Sequence, residues 1–243
     1  MELIRWLNRG NAFSAKADND LAIADYNEAL RLDPKNALAY HNRGNAYSDK
    51  GNYDRAIADY TETLKLDPKY SWAFYNRGNA YSTKEDYEQA VRDFSEAIRL
   101  NPKNASAYNN RGLAHAGRGD VDRAVADYTR AIRLNRKFAL AYNNRGNAFA
   151  EKGEYDRAIV DFTRALRLDP KLALAYYNRS STFSKKGEHD RGLADYNRAI
   201  RLDPKIATAH YTRVIAYSAK GGHEPARDDY HQANPIVAVA EKK

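Results

Sequence analysis

The chain of 243 residues has no cysteine, one methionine and seven prolines. Without cysteine there is no disulfide, no iron–sulfur ligation and no thiol catalysis, and cysteine usage gives no clue to redox compartment. Long apolar runs are also missing, and the mean hydropathy is −0.83. A membrane-spanning helix is therefore excluded. The opening MELIRWLNRGNAF places polar residues where an export signal needs an unbroken apolar core, so no such signal is visible and a cytoplasmic location is expected. No His-Glu-x-x-His spacing occurs, and the glycines never cluster into a phosphate-binding loop. No catalytic constellation is present. An enzyme is not expected, nor a cofactor or bound metal.

Apolar residues make up 43% and charged residues 30%, which supports an apolar core and excludes global disorder. Lys and Arg number 40 against 32 Asp and Glu, for a net charge of +8. That excess raises nucleic acid or an acidic surface as partners without identifying either. The 19 tyrosines beside a single methionine hint at repetition.

Repetition is what the chain contains. Asn-Arg-Gly occurs at Asn8-Arg9-Gly10, Asn42-Arg43-Gly44, Asn76-Arg77-Gly78, Asn110-Arg111-Gly112 and Asn144-Arg145-Gly146, every 34 residues, and weakens at Asn178-Arg179-Ser180 and Thr212-Arg213-Val214. Seven units start at Leu3, Ala37, Ser71, Ala105, Ala139, Ala173 and Ala207. They are expected to form a single array over 3–234, followed by a tail over 235–243. In the second unit Tyr40, Gly44 and Tyr47 make one helical stripe, which Gly51 ends. Ala56, Tyr60 and Thr63 make a second stripe, with Asp54 in its first turn and Asp67-Pro68 as its stop. Each unit is thus an antiparallel helix pair that buries its apolar face by stacking on its neighbours.

A 34-residue pair with Phe74, Gly78, Tyr81, Ala90, Phe94, Ala97 and Pro102, as in the third unit, resembles the tetratricopeptide repeat (TPR). The resemblance covers nearly the whole chain. It implies an all-α solenoid, a right-handed superhelix of antiparallel helix pairs whose first helices line a concave groove. Arg136 replaces the proline in unit four, Gly192 the alanine in unit six, and Ser180 and Val214 the helix-contact glycine, departures expected to loosen single units. Polar residues stand where a neighbour is missing: Arg5 where other units have alanine, and Arg227 and Asn234 where others have apolar residues. This pattern predicts a complete seven-unit array.

The resemblance places unit positions 2, 5, 6, 9, 12 and 13 in the groove. Position 6 is Asn8, Asn42, Asn76, Asn110, Asn144 and Asn178, and position 9 adds Asn11, Asn45, Asn79 and Asn147. Asparagine is a mediocre helix-interior residue, yet its carboxamide offers a donor and an acceptor that match an extended peptide backbone. Two readings stand side by side: a backbone clamp, or a neutral solvated residue copied by repeat duplication. Leu38, Trp72, Leu140 and Leu174 at position 2, with Tyr75, Tyr177 and Tyr211 at position 5, offer side-chain pockets around it. The basic set by which some TPR proteins grip a terminal carboxylate is replaced by Leu7, Trp72 and Asn76, so that specialisation is rejected.

A second ladder is ionic. Position 7 is Arg and position 23 is Asp in every unit, from Arg9 and Asp25 to Arg213 and Asp229, which points to structural pairs between packed helices. The expected function is a protein-interaction scaffold for an extended protein or peptide segment, without membrane insertion. A second copy of the chain is the alternative partner. Nucleic acid, suggested by Lys16, Lys50, Lys84, Arg118, Lys152, Lys186 and Lys220 at position 14, is the least favoured. Basic residues at positions 7, 14, 29 and 33 account for 26 of the 40, so most of the charge belongs to the repeat itself.

Overall fold

Each repeat devotes 13 or 14 residues to each of two helices and joins them by tight turns. The computed structural model describes residues 1–204, and all regular structure there is helical. The seventh unit from Ala207 and the tail, with Tyr211, Arg213, Arg227, Asp229 and Asn234, lie outside the described residues.

The described chain divides into two compact units, Met1–Arg123 and Ala124–Lys243. The first holds α1 (Glu2–Ala15), α2 (Asn19–Leu32), α3 (Ala37–Asp49), α4 (Tyr53–Leu66), α5 (Ser71–Thr83), α6 (Tyr87–Leu100) and α7 (Ala105–Gly117). The helix α8 (Val121–Leu134) crosses the division. The second unit continues with α9 (Ala139–Glu151), α10 (Tyr155–Leu168), α11 (Ala173–Lys185) and α12 (His189–Leu202). Odd-numbered helices are the first of each repeat and even-numbered the second.

Local chemistry sets the boundaries. The side chains of Asn36, Asn52, Asp86 and Asn104 accept the backbone N–H three residues on, capping α3, α4, α6 and α7. At the far ends Asp33, Asp67, Asn101, Asn135 and Asp169 accept the N–H two residues on. Asn135 does so at 3.0 Å although Arg136 stands where other repeats have proline. The side-chain turn, not the proline ring, is therefore sufficient to end that helix.

Small residues let the helices meet. Ala22, Ala56, Ala90, Ala124 and Ala158, all fully buried, line the second helices, and Ala39, Ala73, Ala107, Ala141 and Ala175 the first. The aromatic residues Tyr26, Tyr60, Phe94, Tyr128, Phe162 and Tyr196 fill the space between. A Cβ on Gly44 would lie 2.8 Å from Tyr60 Cε1, so glycine at position 8 makes room for the ring. In the sixth repeat Ser180 occupies that place, fully buried, and Gly192 lies against its carbonyl, 3.1 Å from where a Cβ would be. The two departures face each other.

Candidate functional site

The position-6 and position-9 asparagines fall three residues apart on each first helix and so share a face. Their carboxamides are bonded from repeat to repeat. In the first unit Asn42, Asn76 and Asn110 each donate Nδ2 to the Oδ1 of the preceding repeat's Asn11, Asn45 and Asn79, at 2.9, 2.9 and 2.8 Å. The other N–H of Asn76 reaches His41 Nε2 at 3.2 Å, and that of Asn110 reaches Tyr75 Oη at 3.1 Å. Tyr26 and Tyr60 donate their hydroxyls to Asn11 and Asn45 from the second helices, at 2.8 and 2.9 Å. In the second unit Asn178 donates to Asn143 Oδ1 at 3.0 Å, and Asn143 donates to Asn144 Oδ1 at 3.3 Å.

The position-6 amides of Asn76 and Asn110 therefore spend both hydrogens inside the protein. What stays open toward solvent is the Nδ2 group of Asn11, Asn45 and Asn79, each bonded only through its oxygen. Asn8 and Asn147 are exposed, and Phe162, opposite Asn147 in the repeat, has no hydroxyl to donate. Leu113 breaks the position-9 row with a half-exposed apolar side chain.

Sequence reasoning missed His41, Asn109 and Asn143, buried members of this network at position 5. The signal was available, since position 5 adjoins the asparagine row, but its residue type changes from repeat to repeat. Burial pushes the His41 imidazole below its ordinary range, with the Asn42 amide opposing. Neutral His41 then donates from Nδ1 to Asn42 Oδ1, 3.3 Å away, and accepts Asn76 at Nε2. Burial likewise raises the Tyr26 hydroxyl to about 12, keeping it a donor at neutral pH.

Two cavities open along this row. One of 440 Å³ is lined by Ser14, Asn45, Ser48, Asp49, Tyr60, Asn76 and Asn79. Another of 270 Å³ is lined by Asn11, Ser14, Ala15, Tyr26, Asn42 and Asn45. On the same helices position 2 is an exposed apolar row, Ile4, Leu38 and Trp72 in the first unit, Leu140 and Leu174 in the second. Ile4 escaped the sequence reading although the register assigns it there. Trp72 is 55% exposed and meets Tyr75 edge-on at 5.8 Å. Tyr75 and Tyr177 are half-buried, their rings packed on Phe94 and Tyr196. Trp72 is thus an exposed anchor, while the two tyrosines also belong to the core.

Profiles described as tetratricopeptide repeat or TPR repeat match residues 10–51, 44–85, 75–137, 139–172 and 173–206. The crystal structure of MamA is 32% identical over 68% of this chain and 96% of its own, with a TM-score of 0.64. The chain belongs to the tetratricopeptide repeat family. The crystal structure of YrrB, described as a TPR protein with an unusual peptide-binding site, is 28% identical over 77% of this chain and 97% of its own, with a TM-score of 0.62. A TPR protein from Parabacteroides merdae shares the fold at 21% identity and a TM-score of 0.79, covering 97% of this chain and 93% of its own. No curated protein matches the chain significantly.

The TPR frame of this chain is fastened by the ionic ladder. Arg9, Arg43, Arg77, Arg145 and Arg179 grip Asp25, Asp59, Asp93, Asp161 and Asp195 through Nε and Nη2, at 2.6–2.8 Å. From repeat two onward Nη1 reaches the preceding second helix, at Asn27, Thr61, Ser95, Thr129 and Thr163. Arg43, Arg77, Arg145 and Arg179 each tie two second helices together in this way. Each also lies over the position-4 ring, as Arg43 does over Tyr40 at 5.4 Å. The aspartates are buried. At Asp93 burial lifts the carboxyl above its ordinary range against the opposing pull of Arg77.

Three of the position-14 lysines behave alike. Lys50, Lys84 and Lys186 pair with Asp20, Asp54 and Asp156 of the preceding repeat, the last at 2.5 Å. These three of the residues that suggested nucleic-acid contacts thus already hold carboxylates. Among the described residues no group of His, Asp and Glu could hold a metal ion, and no helix is long and apolar enough to cross a membrane.

Proposed function

We propose that this TPR protein is a non-enzymatic interaction scaffold that holds an extended peptide along the row of its first helices. The observation that carries the reading is the pair of cavities beside Asn11, Asn45 and Asn79, on first helices that also expose Ile4, Leu38 and Trp72. The free Nδ2 groups recur once per repeat and donate to peptide carbonyls, while Leu38 and Trp72 take apolar side chains. Because their oxygens are fixed by neighbouring repeats, the amides are held in one orientation before a ligand arrives, which lowers the entropic cost of binding. The peptide-binding site in the name of YrrB supports the ligand class.

Fluorescence binding of a random-peptide panel tests the proposal. Asn45→Ala with Asn79→Ala removes two donors facing the cavities, and affinity for any peptide hit should fall at least roughly tenfold, two hydrogen bonds being about 1 kcal/mol each. Tyr60→Phe removes a bond that holds Asn45 but keeps its Nδ2 donor, so it should lower stability and weaken affinity less than the double variant does. Equal affinity of the double variant and the parent protein rejects the clamp.

A further inference from the structure

The second helices carry a charge difference that the peptide reading does not use. Residues 1–123 contain 18 basic and 18 acidic residues, and residues 124–243 contain 22 and 14. The whole excess of +8 therefore lies in the second unit.

Much of the contrast comes from one repeat position. Position 26 is Glu28, Glu62 and Glu96 in the first three repeats, paired one turn on with Arg31, Lys65 and Arg99 at 2.9, 2.6 and 2.8 Å. In the next three it is Arg130, Arg164 and Arg198, followed one turn on by Arg133, Arg167 and Arg201. All six of these arginines are exposed. Like charges three residues apart face each other on a helix and destabilise it by a few tenths of a kcal/mol. At the pairs of α10 and α12 an external anion relieves that repulsion.

The arginines of α10 border a cavity of 430 Å³ whose apolar wall includes Tyr142, Ile159 and Val160. A second cavity of 330 Å³ opens on the other side of Val160, against Phe149 and Arg157. Val160 is 67% exposed. The same position is Ala24, Ala58, Arg92, Ala126 and Ala194 elsewhere, so this apolar knob belongs to the fifth repeat alone among those described. The carboxylates at these cavities are already engaged, Asp161 by Arg145 and Asp156 by Lys186.

We propose that the second-helix face of α10 and α12 docks an acidic peptide segment of a partner protein, its carboxylates gripped by the arginine pairs of these two helices and one apolar side chain seated beside Val160. Guanidinium pairs match carboxylates with two hydrogen bonds each. Single-stranded nucleic acid would call for aromatic faces on which bases stack. The exposed side chain beside these arginines is aliphatic, and the Tyr142 ring lies under the Arg145 guanidinium at 5.8 Å. In a second copy of the chain the position-26 carboxylates Glu28, Glu62 and Glu96 are already paired with Arg31, Lys65 and Arg99.

The full chain and the variant Arg164→Glu/Arg198→Glu decide the matter, because that variant reinstates the Glu–Arg pattern by which the first three repeats fold. The probes are a labelled glutamate-rich peptide with a central leucine, its glutamine counterpart, poly(U) RNA and phosphatidylserine-containing vesicles. The glutamate peptide should bind the parent chain more tightly than every other probe, with a salt-sensitive affinity. Binding should fall roughly tenfold or more in the variant, as two charge pairs turn repulsive. Val160→Ser should weaken the leucine-centred peptide and leave an all-glutamate peptide unaffected. Unchanged affinity of the charge-reversal variant, equal binding of the glutamine peptide, or tighter binding of RNA or vesicles overturns the proposal. Should the charge-reversal variant melt without cooperativity, Arg164→Gln with Arg198→Gln gives the same reading through a milder change.

Discussion

Position 15 of each of the six described repeats turns the chain through the left-handed region, and two residues there are poorly suited to it. Gly51, Gly119, Gly153 and Gly187 have φ between 74° and 80°, whereas Ala17 and Glu85 hold 61° and 60° with a Cβ attached. The left-handed conformation costs an L-residue about 1–2 kcal/mol, and glycine loses roughly 0.5–1 kcal/mol in backbone entropy. Glu85→Gly should therefore stabilise the protein by up to about 1 kcal/mol in urea denaturation, and Gly119→Ala should destabilise it by about as much. A loss on Glu85→Gly would mean that the acidic side chain stabilises the turn in some other way. His41 sets a second residue-scale expectation. Its folded form favours the neutral ring, so the unfolded chain binds the proton more readily. Stability contributed by His41 is present above its ordinary range, near pH 6.5, and is lost as pH falls below it. Protonating Nε2 would also turn the acceptor facing Asn76 into a donor. Thermal melts between neutral and mildly acid pH should steepen in the parent chain relative to His41→Gln; parallel curves would contradict this.

The second helix of one repeat, the first helix of the same repeat and the preceding second helix meet at Arg43, Arg77, Arg145 and Arg179. Removing one partner strands a buried charge, so Arg43→Leu should cost about 3 kcal/mol or more by leaving Asp59 unpaired. Arg43→Leu with Asp59→Leu should recover much of that loss. The raised Asp93 carboxyl shows why: burial works against the charged form even beside its arginine. Melts in which the double variant is no more stable than the single would refute the coupling. These pairs were legible in the sequence because both residues recur without exception at fixed positions of one helix pair. The helices, their turns and the asparagine face were legible for the same reason. The destinations of the asparagine and lysine side chains were not. Their partners lie 30, 31 or 35 residues away in the neighbouring repeat, at distances that depend on how helices stack and not on the pattern within a repeat. The asparagine row thus read as a set of free amides, whereas its position-6 members are largely spent on joining repeats and its position-9 members keep the open donors.

Within Met1–Arg123 every helix packs only on helices adjacent or one removed in sequence, α1 on α2 and α3, and α3 on α4 and α5. Stability in such an arrangement is a sum of repeat terms and nearest-neighbour terms, without contacts that close the chain on itself. A local fault should accordingly stay local. Gly44→Ala supplies one, because the new Cβ would lie 2.8 Å from Tyr60 Cε1 and 3.3 Å from Asp59 Cβ. Overpacking of this kind costs typically 1–3 kcal/mol. The displaced ring also carries the hydroxyl that holds Asn45, and Asn45 in turn receives Asn76 from the next repeat. Native-state hydrogen exchange should therefore show lost protection in α3 and α4, a smaller loss in α2 and α5, and none in α7. The amide ladder gives the fault its reach: adding Tyr60→Phe, which severs the bond to Asn45 while keeping the ring, should change exchange in α5 less in the Gly44→Ala background than in the parent chain, since the two changes break the same link. Uniform loss of protection across α1 to α7 would instead mean that the repeats unfold as one cooperative block, and the nearest-neighbour description would fail.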